Sequence, residues 1–281
     1  MEEIINKKSC MPFLRWTGSK RWFTKSYINE FLPSSFNNYH EPFLGAGSVY
    51  FYLKGLDLTS GIDFHLSDSN KELINAYIQI RDNPEEVISY LKNFINSENQ
   101  YYHIRQLKPR KEEKKAARFI YLNRTSFNGI YRVNSQGLYN VPYGHREKVD
   151  VVTEKLLLEV SRNLQGASFT SQSFEQTITN VKKGDLVFLD PPYTVAHENN
   201  GFIEYNQHLF SWTDQEKLRD YVKELIKKEA FFILTNASHN SILELYSGIG
   251  EIKKLSRLSQ VGGRNKTRGS YNELIITNTT I

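Results

Sequence analysis

Asp190-Pro191-Pro192-Tyr193 has the residue types to hold a flat ring that carries an amine. The Asp190 carboxylate and the Pro191 carbonyl are acceptors for the two amine hydrogens, and the Tyr193 ring offers a face for stacking. The corner follows Leu186-Val187-Phe188-Leu189, an apolar run that reads as a buried strand. Two prolines stop that strand from continuing or from turning directly into helix. In open α/β sheets ligands bind outside the carboxyl ends of strands, so the strand delivers the corner to a crevice. A solvated Asp in a Pro-rich turn is the commoner meaning of a bare Asp-Pro pair, whereas the complete tetrapeptide behind a strand favours chemistry.

Two earlier stretches carry parts of a nucleoside site. Gly45 and Gly47, within Glu41-Pro42-Phe43-Leu44-Gly45-Ala46-Gly47-Ser48, let the chain turn tightly and let a ligand approach the backbone. Asp68 ends a strand candidate at 64–66, about twenty residues beyond the glycines, where this architecture sets an acid on ribose hydroxyls. Tyr50 stands where the third glycine of a dinucleotide fingerprint belongs. A nucleoside without a pyrophosphate is therefore the better ligand, and a dinucleotide-dependent oxidoreductase is disfavoured. Gly18-Ser19-Lys20 ahead of a helical pattern suits a ligand carboxylate, and equally suits a cap that packs Trp16 on the core.

The elements that position these residues alternate between strand and helix up to Asn70 and again after Asp150. Between them the pattern is helical, over 71–81, 84–95 and 112–123, with at most three helices. Residues 124–144 then alternate aliphatic and polar side chains about Ser135-Gln136-Gly137, which predicts a hairpin. Arg124, Asn128, Arg132 and Asn134 have donors and acceptors for base edges, and Phe127 or Ile130 is a wedge between bases. An inserted reading domain over 70–149, within a catalytic domain of 1–69 and 150–281, is the natural inference; a ribbon packed on the core or on another subunit is the alternative. Beyond 150 the pattern predicts helix 153–163, strand 168–171, a polar turn with Phe174, and a long functional loop over 194–211. Helix 214–227 capped by Thr213, strand 230–235, helix 241–246, and strands 252–258 and 273–277 about a basic loop at 262–269 complete the chain.

Composition narrows the class. A formal net charge of +5 suits a polyanionic partner, and basic residues crowd 105–132 and 257–268, a placement that a solvated helix face and a mobile loop also explain. No apolar run reaches about eighteen residues and no signal-peptide pattern opens the chain, so a soluble, cytoplasmic protein without membrane contact is expected. Cys10, the single cysteine, excludes an intrachain disulfide and a cysteine-based zinc cage, and no metal is expected.

Taken together, Phe13-Leu14-Arg15-Trp16-Thr17-Gly18-Ser19-Lys20, Glu41 to Ser48, Leu66-Ser67-Asp68-Ser69-Asn70, the Asn128-Gly129 hairpin with Asn140-Val141-Pro142-Tyr143-Gly144, and Asp190 to Tyr193 resemble the Dam-type DNA adenine N6-methyltransferases of α-group motif order. The resemblance runs from Phe13 to about Thr277. It implies an α/β fold, a Rossmann-like methyltransferase mixed sheet with an antiparallel last strand and an inserted helical target-recognition domain carrying the β-hairpin. It implies S-adenosylmethionine as methyl donor. Trp16 and Lys20 would touch the donor, Lys20 near its carboxylate; Phe43, Gly45 and Gly47 would wrap its amino-acid part; Asp68 would hold the ribose; Phe174 would lie beside the adenine ring; and Asp190 would border both donor and amine. Arg15 matches a basic position that touches the DNA target, and Phe127, Asn128, Ile130, Arg132 and Pro142 match hairpin positions that intercalate or read bases. Ser19 departs from a glycine usual in the opening motif, and His145 and Arg146 stand where an aromatic contact is expected.

The implied activity is methyl transfer to N6 of a flipped adenine in a short palindromic site of duplex DNA, with GATC expected and a cognate restriction endonuclease a candidate partner. Cytosine N4 methylation and a non-catalytic DNA-binding module are the rivals. Intact Lys20, Asp68 and Asp190 speak against the second.

Overall fold

The structure, a computed structural model, describes residues 10–146, 149–151, 153–194, 210–258 and 270–279. Its strands are β1 (Tyr39–Glu41), β2 (Phe64–Asp68), β3 (Ala167–Ser171), β4 (Leu186–Leu189), β5 (Phe231–Ala237), β6 (Glu251–Leu258) and β7 (Ser270–Thr277). They form one seven-stranded sheet in the order β3-β2-β1-β4-β5-β7-β6. Strand β1 runs parallel to β2 and β4, and β4 runs parallel to β5. Strand β7 is antiparallel to both β5 and β6. This is the mixed sheet of a Rossmann-like methyltransferase, and its order reverses between β1 and β4, the position at which open sheets bind ligands.

The chain divides into two compact units. One comprises Trp22–Phe43, Ile62–Ser67 and Gln172–Ile281. Every residue of β4 is buried, which is why it reads as an uninterrupted apolar run rather than an alternation. Val187, Leu189, Phe232, Leu234 and Ile276 pack with Leu218, Val222 and Leu225 of the helix Trp212–Lys227 in one core. Each such side chain contributes roughly 1.5–3 kcal/mol by leaving water. The polar residues of β1 are buried too, and each finds a partner. Tyr39 donates to Glu41 Oε2 at 2.8 Å, and His40 Nε2 lies 2.9 Å from Asp185 Oδ2 with its ring stacked on His65.

The other unit comprises Met1–Arg21, Leu44–Gly61 and Asp68–Ser171. Here α3 (Lys71–Asp82), α4 (Pro84–Lys92), α5 (Glu98–Gln106), α6 (Glu112–Thr125) and α7 (Glu154–Leu164) pack on one another, following α1 (Arg21–Ser26) and α2 (Ser48–Leu53) in the chain. Asn70 caps α3, its side chain accepting from the N–H groups of Glu72 and Leu73. Buried Leu73, Tyr77 and Ile80 lie on one stripe of α3, and Ala116, Phe119 and Ile120 on one of α6.

Several expectations are corrected. Ser211, not Thr213, caps α9 (Trp212–Lys227), because Ser211 and Asp214 bond each other's backbone N–H in a reciprocal box. The polar turn at Phe174 is a short helix, α8 (Phe174–Thr177), with its own box from Ser173 and Gln176. Helix α4 stops at Lys92, α5 is an additional element, and β7 begins at Ser270. The helix α10 (Asn240–Leu245) falls one residue early. Most of the loop expected over 194–211, and the basic loop at 262–269, lie outside the described residues. No described helix is long and apolar enough to cross a membrane.

Candidate active site

Strand β4 ends by placing Asp190 beside β5. Asp190 Oδ1 accepts a 2.7 Å hydrogen bond from Oγ1 of buried Thr235. Tyr193 donates its phenol to Glu273 Oε2 at 2.8 Å, and Glu273, on β7, is 1% exposed. Burial, then the charges of Glu273 and Asp190, push the Tyr193 phenol well above its ordinary range, so it stays a protonated donor. Pro191 is buried and Pro192 exposed. The corner is thus anchored at its carboxylate and at its ring. Thr235 and Glu273 were absent from the candidates drawn from sequence, since both sit inside strands far along the chain.

A second cluster gathers the glycine turn and the opening motif. Asp68 accepts from the Gly45 N–H at 3.1 Å through Oδ2 and from the Asn70 N–H at 2.9 Å through Oδ1. Burial pushes the Asp68 carboxyl up, against the opposing pull of those N–H groups and that of Ser69. Gly45 has φ +48°, and a Cβ there would stand 2.8 Å from Cδ1 of Trp16. Glycine at 45 therefore serves both the left-handed turn and the indole packed against it. Lys20 is 4% exposed and donates to the Gly18 carbonyl at 3.0 Å. Ser19 shares a 2.8 Å hydrogen bond with Ser48, next to Gly47, and its backbone is not left-handed, so the departure from glycine requires no special conformation. Trp16 stacks on Tyr131 at 6.0 Å between centroids and 22° between planes. Phe43 and Phe174 stack at 5.3 Å in an aromatic group with Phe210.

Residues 124–144 form a ribbon closed by isolated bridges, Val133 with Tyr139 and Ser126 with Tyr143, rather than by continuous strands. The Phe127 N–H donates to the Pro142 carbonyl at 3.0 Å, which joins two of the expected reading positions. Phe127 is 51% exposed, and Arg15, Asn128, Asn134 and Pro142 are exposed as well. Ile130 and Arg132 are half-buried, and Arg132 donates through Nε to Asn140 Oδ1 at 2.8 Å. The Asn134 side chain accepts from the N–H groups of Gln136 and Leu138, so it builds the turn. Arg124 donates to the carbonyls of Asp150 and Phe13. Two more of the crowded basic residues do likewise: Arg105 reaches the Val141 carbonyl and Arg118 those of Ile104 and Arg105.

Cys10 is buried, and burial followed by the charge of Glu159 pushes its thiol up to about 12. It stays protonated and is no nucleophile. Among the described residues no group of three or more His, Cys, Asp or Glu is arranged to hold a metal ion.

The family model for D12 class N6 adenine-specific DNA methyltransferases matches residues 16–260. The chain belongs to this family. The D12-class chain is 36% identical over 283 residues to the type II methyltransferase M1.LlaDCHI of Lactococcus lactis subsp. cremoris, covering 97% of each. It is 32% identical over 289 residues to the type II methyltransferase M.MjaIII of Methanocaldococcus jannaschii, covering 95% of this chain and 98% of that one. A DNA adenine methylase of Haemophilus influenzae is 29% identical over 273 residues, with 94% and 92% covered. The D12-class enzyme is accordingly an adenine-specific DNA methyltransferase, and its family implies S-adenosylmethionine as donor and DNA as substrate. The matched span takes in Trp16 through Tyr193 and stops short of Glu273.

Proposed function

We propose that this methyltransferase transfers the methyl group of S-adenosylmethionine to N6 of an adenine flipped out of duplex DNA, within GATC. The Asp190 to Tyr193 corner carries the reading, because Thr235 already holds its carboxylate and Glu273 its ring. In the reaction Asp190 and the Pro191 carbonyl accept the two N6 hydrogens, which draws the nitrogen lone pair out of conjugation with the ring. Tyr193 stacks the extruded base. A carboxylate has about four acceptor positions, so the bond from Thr235 does not exhaust Asp190. N6 bonds the methyl carbon as the donor's sulfonium C–S bond breaks and a neutral thioether leaves; the proton of the positively charged nitrogen passes to water, and no covalent intermediate with the chain forms. Positioning and electrostatics account for the rate.

Bound S-adenosylmethionine supplies an electrophilic methyl group. The residues fit such a ligand: Trp16 presents an indole, Lys20 a buried ammonium for the carboxylate, Gly45 and Gly47 close backbone approach, and Asp68 a carboxylate, pinned by two N–H groups, for the ribose. In this reading Phe43, with Gly45 and Gly47, wraps the amino-acid part of the donor, and Phe174, stacked on Phe43, lies beside its adenine.

Residues 70–149 are the target-recognition domain in this reading, and 1–69 with 150–281 the catalytic domain. Phe127 and Ile130 wedge between bases, Arg132 and Asn128 read base edges, and Pro142 supports the wedge. Arg15 contacts the target strand, while Arg124 and Asn134 hold the presenting backbone. The type II names of two relatives support a cognate restriction endonuclease reading the same site.

The test is transfer of labelled methyl to three unmethylated duplexes: GATC, the same site with adenine replaced, and a scrambled sequence. Label on GATC alone is expected. Label on the scrambled duplex removes the GATC assignment, and label on the duplex whose adenine is replaced removes the N6 assignment.

A further inference from the structure

Glu273 is a buried carboxylate on the middle strand of an antiparallel pairing, opposite Ala237 of β5 and Leu255 of β6. An ionisable group in such a place is costly unless a hydrogen bond compensates it. The Tyr193 phenol does so at 2.8 Å. In the register of β5 and β7, Ala237 faces Glu273, and Thr235 lies two residues before Ala237. Side chains two apart along a strand share a face, so Thr235 and Glu273 stand on the same side of the sheet. From that side one takes hold of Asp190 and the other of Tyr193.

We propose that Glu273 is a positioning residue for methyl transfer, acting through the Tyr193 hydroxyl to fix the plane on which the target base stacks. The proposal rests on the reading that Tyr193 is the stacking ring. The backbone end of Tyr193 is restricted by Pro191 and Pro192. Its hydroxyl end is held by an acceptor that burial keeps in place, so the ring is immobilised at both ends before a base arrives. Preorganised geometry of this kind belongs to the turnover step rather than to ground-state binding.

The experiment compares the full chain with Glu273→Ala, Glu273→Gln, Tyr193→Phe and the double variant Glu273→Ala with Tyr193→Phe. Methyl transfer is measured alongside fluorescence of 2-aminopurine placed at the target adenine, which reports stacking of the extruded base. Glu273→Ala is expected to lower kcat about 100-fold with KM for donor and duplex within about threefold, and to alter the stacking signal. Glu273→Gln keeps an acceptor carbonyl and is expected to recover most of the loss. Tyr193→Phe is expected to resemble Glu273→Ala, with the double variant no worse than either. Unchanged kcat and stacking in Glu273→Ala, or losses that multiply in the double variant, would overturn the proposal. Failure of the adenine reading is seen separately, in the unsubstituted chain: label on cytosine overturns that reading, while the variant pattern continues to decide on Glu273.

Discussion

Asn123 grips Arg15 by both of its backbone groups: Oδ1 accepts from the Arg15 N–H at 2.8 Å, and Nδ2 donates to the Arg15 carbonyl at 2.6 Å. The same amide donates to the Gly129 carbonyl at 3.1 Å. One side chain of α6 therefore fixes the segment leading into Trp16 and the turn that opens the hairpin. Gly129 has no room for a side chain, since a Cβ would stand 2.7 Å from Cβ of Arg15.

Asn123→Ala leaves buried backbone groups without that partner and is expected to destabilise the fold by about 3 kcal/mol, read from urea unfolding. Asn123→Asp keeps the acceptor but sets a buried carboxylate oxygen against the Arg15 and Gly129 carbonyls, and its loss is expected to be at least as large. A shift of a few tenths of a kcal/mol in Asn123→Ala would show that solvent replaces the amide.

Asp190→Ala removes the acceptor that Thr235 holds in place, and kcat is expected to fall about 100- to 1000-fold with the fold intact. Single-turnover methyl transfer and a melting curve measure the two. Near-normal turnover in a folded variant sinks the assignment.

Arg132 is presented by Asn140, and Arg132→Ala is expected to cost about 1–3 kcal/mol of discrimination at one base pair, seen by comparing transfer to singly substituted duplexes. By contrast, exposed Arg110→Ala is expected to change affinity for all duplexes alike, if at all. Uniform weakening by Arg132→Ala would make that residue a phosphate contact.

Gly45→Ala forces a methyl group into the Trp16 indole at a left-handed backbone position. The expected result is a loss of about 1–3 kcal/mol in stability together with weaker donor binding, measured by calorimetry with S-adenosylmethionine. Donor affinity equal to the parent chain would separate the Trp16 cluster from the donor site.

The His40, His65 and Asp185 group predicts how stability varies with pH. Burial, then the neighbouring His40, lowers the His65 pKa below 6.5. The unfolded chain then binds more protons than the native one just below 6.5, so stability is expected to rise with pH through that window and to be lost as pH falls through it. Burial alone would raise Asp185, but hydrogen bonds from His40, the Lys182 N–H and Asn38 outweigh it and hold its carboxyl below the usual range. Its contribution is present above pH 3.8 and lost as pH falls through the lower native value. Melting temperature against pH for the parent chain and for His65→Asn tests this; an unchanged slope between pH 5 and 7 in the variant would assign the effect elsewhere.

The Asp190 to Tyr193 corner could be singled out because its residues are contiguous: four residues directly behind an apolar run, with burial on both faces of β4 written into the run itself. Most helix positions were legible from periodicity. Helix α5 was not, because only Tyr101 and Ile104 of its nine residues are buried, and polar neighbours hide so sparse a stripe. The hairpin's alternation was visible, yet not that the Asn134 side chain would accept from two N–H groups of the turn, nor that two isolated bridges would stand in place of a ladder.

The basic residues divide in the same way. Charge alone made Arg105, Arg118 and Arg124 resemble DNA contacts or a solvated face, whereas folding turns their guanidinium groups onto backbone carbonyls.

From residue order alone follow the fold class, the corner, the glycine turn with its acid, and the family, because each is written in neighbouring residues or in a period set by strand and helix geometry. Tertiary structure alone decided which groups hold those residues in place. Thr235 lies 45 residues from Asp190, Glu273 lies 80 from Tyr193, and Asn123 lies 108 from Arg15. A hydrogen bond depends on separation in space, and only sheet register and helix packing bring such distant positions to within 3 Å of one another.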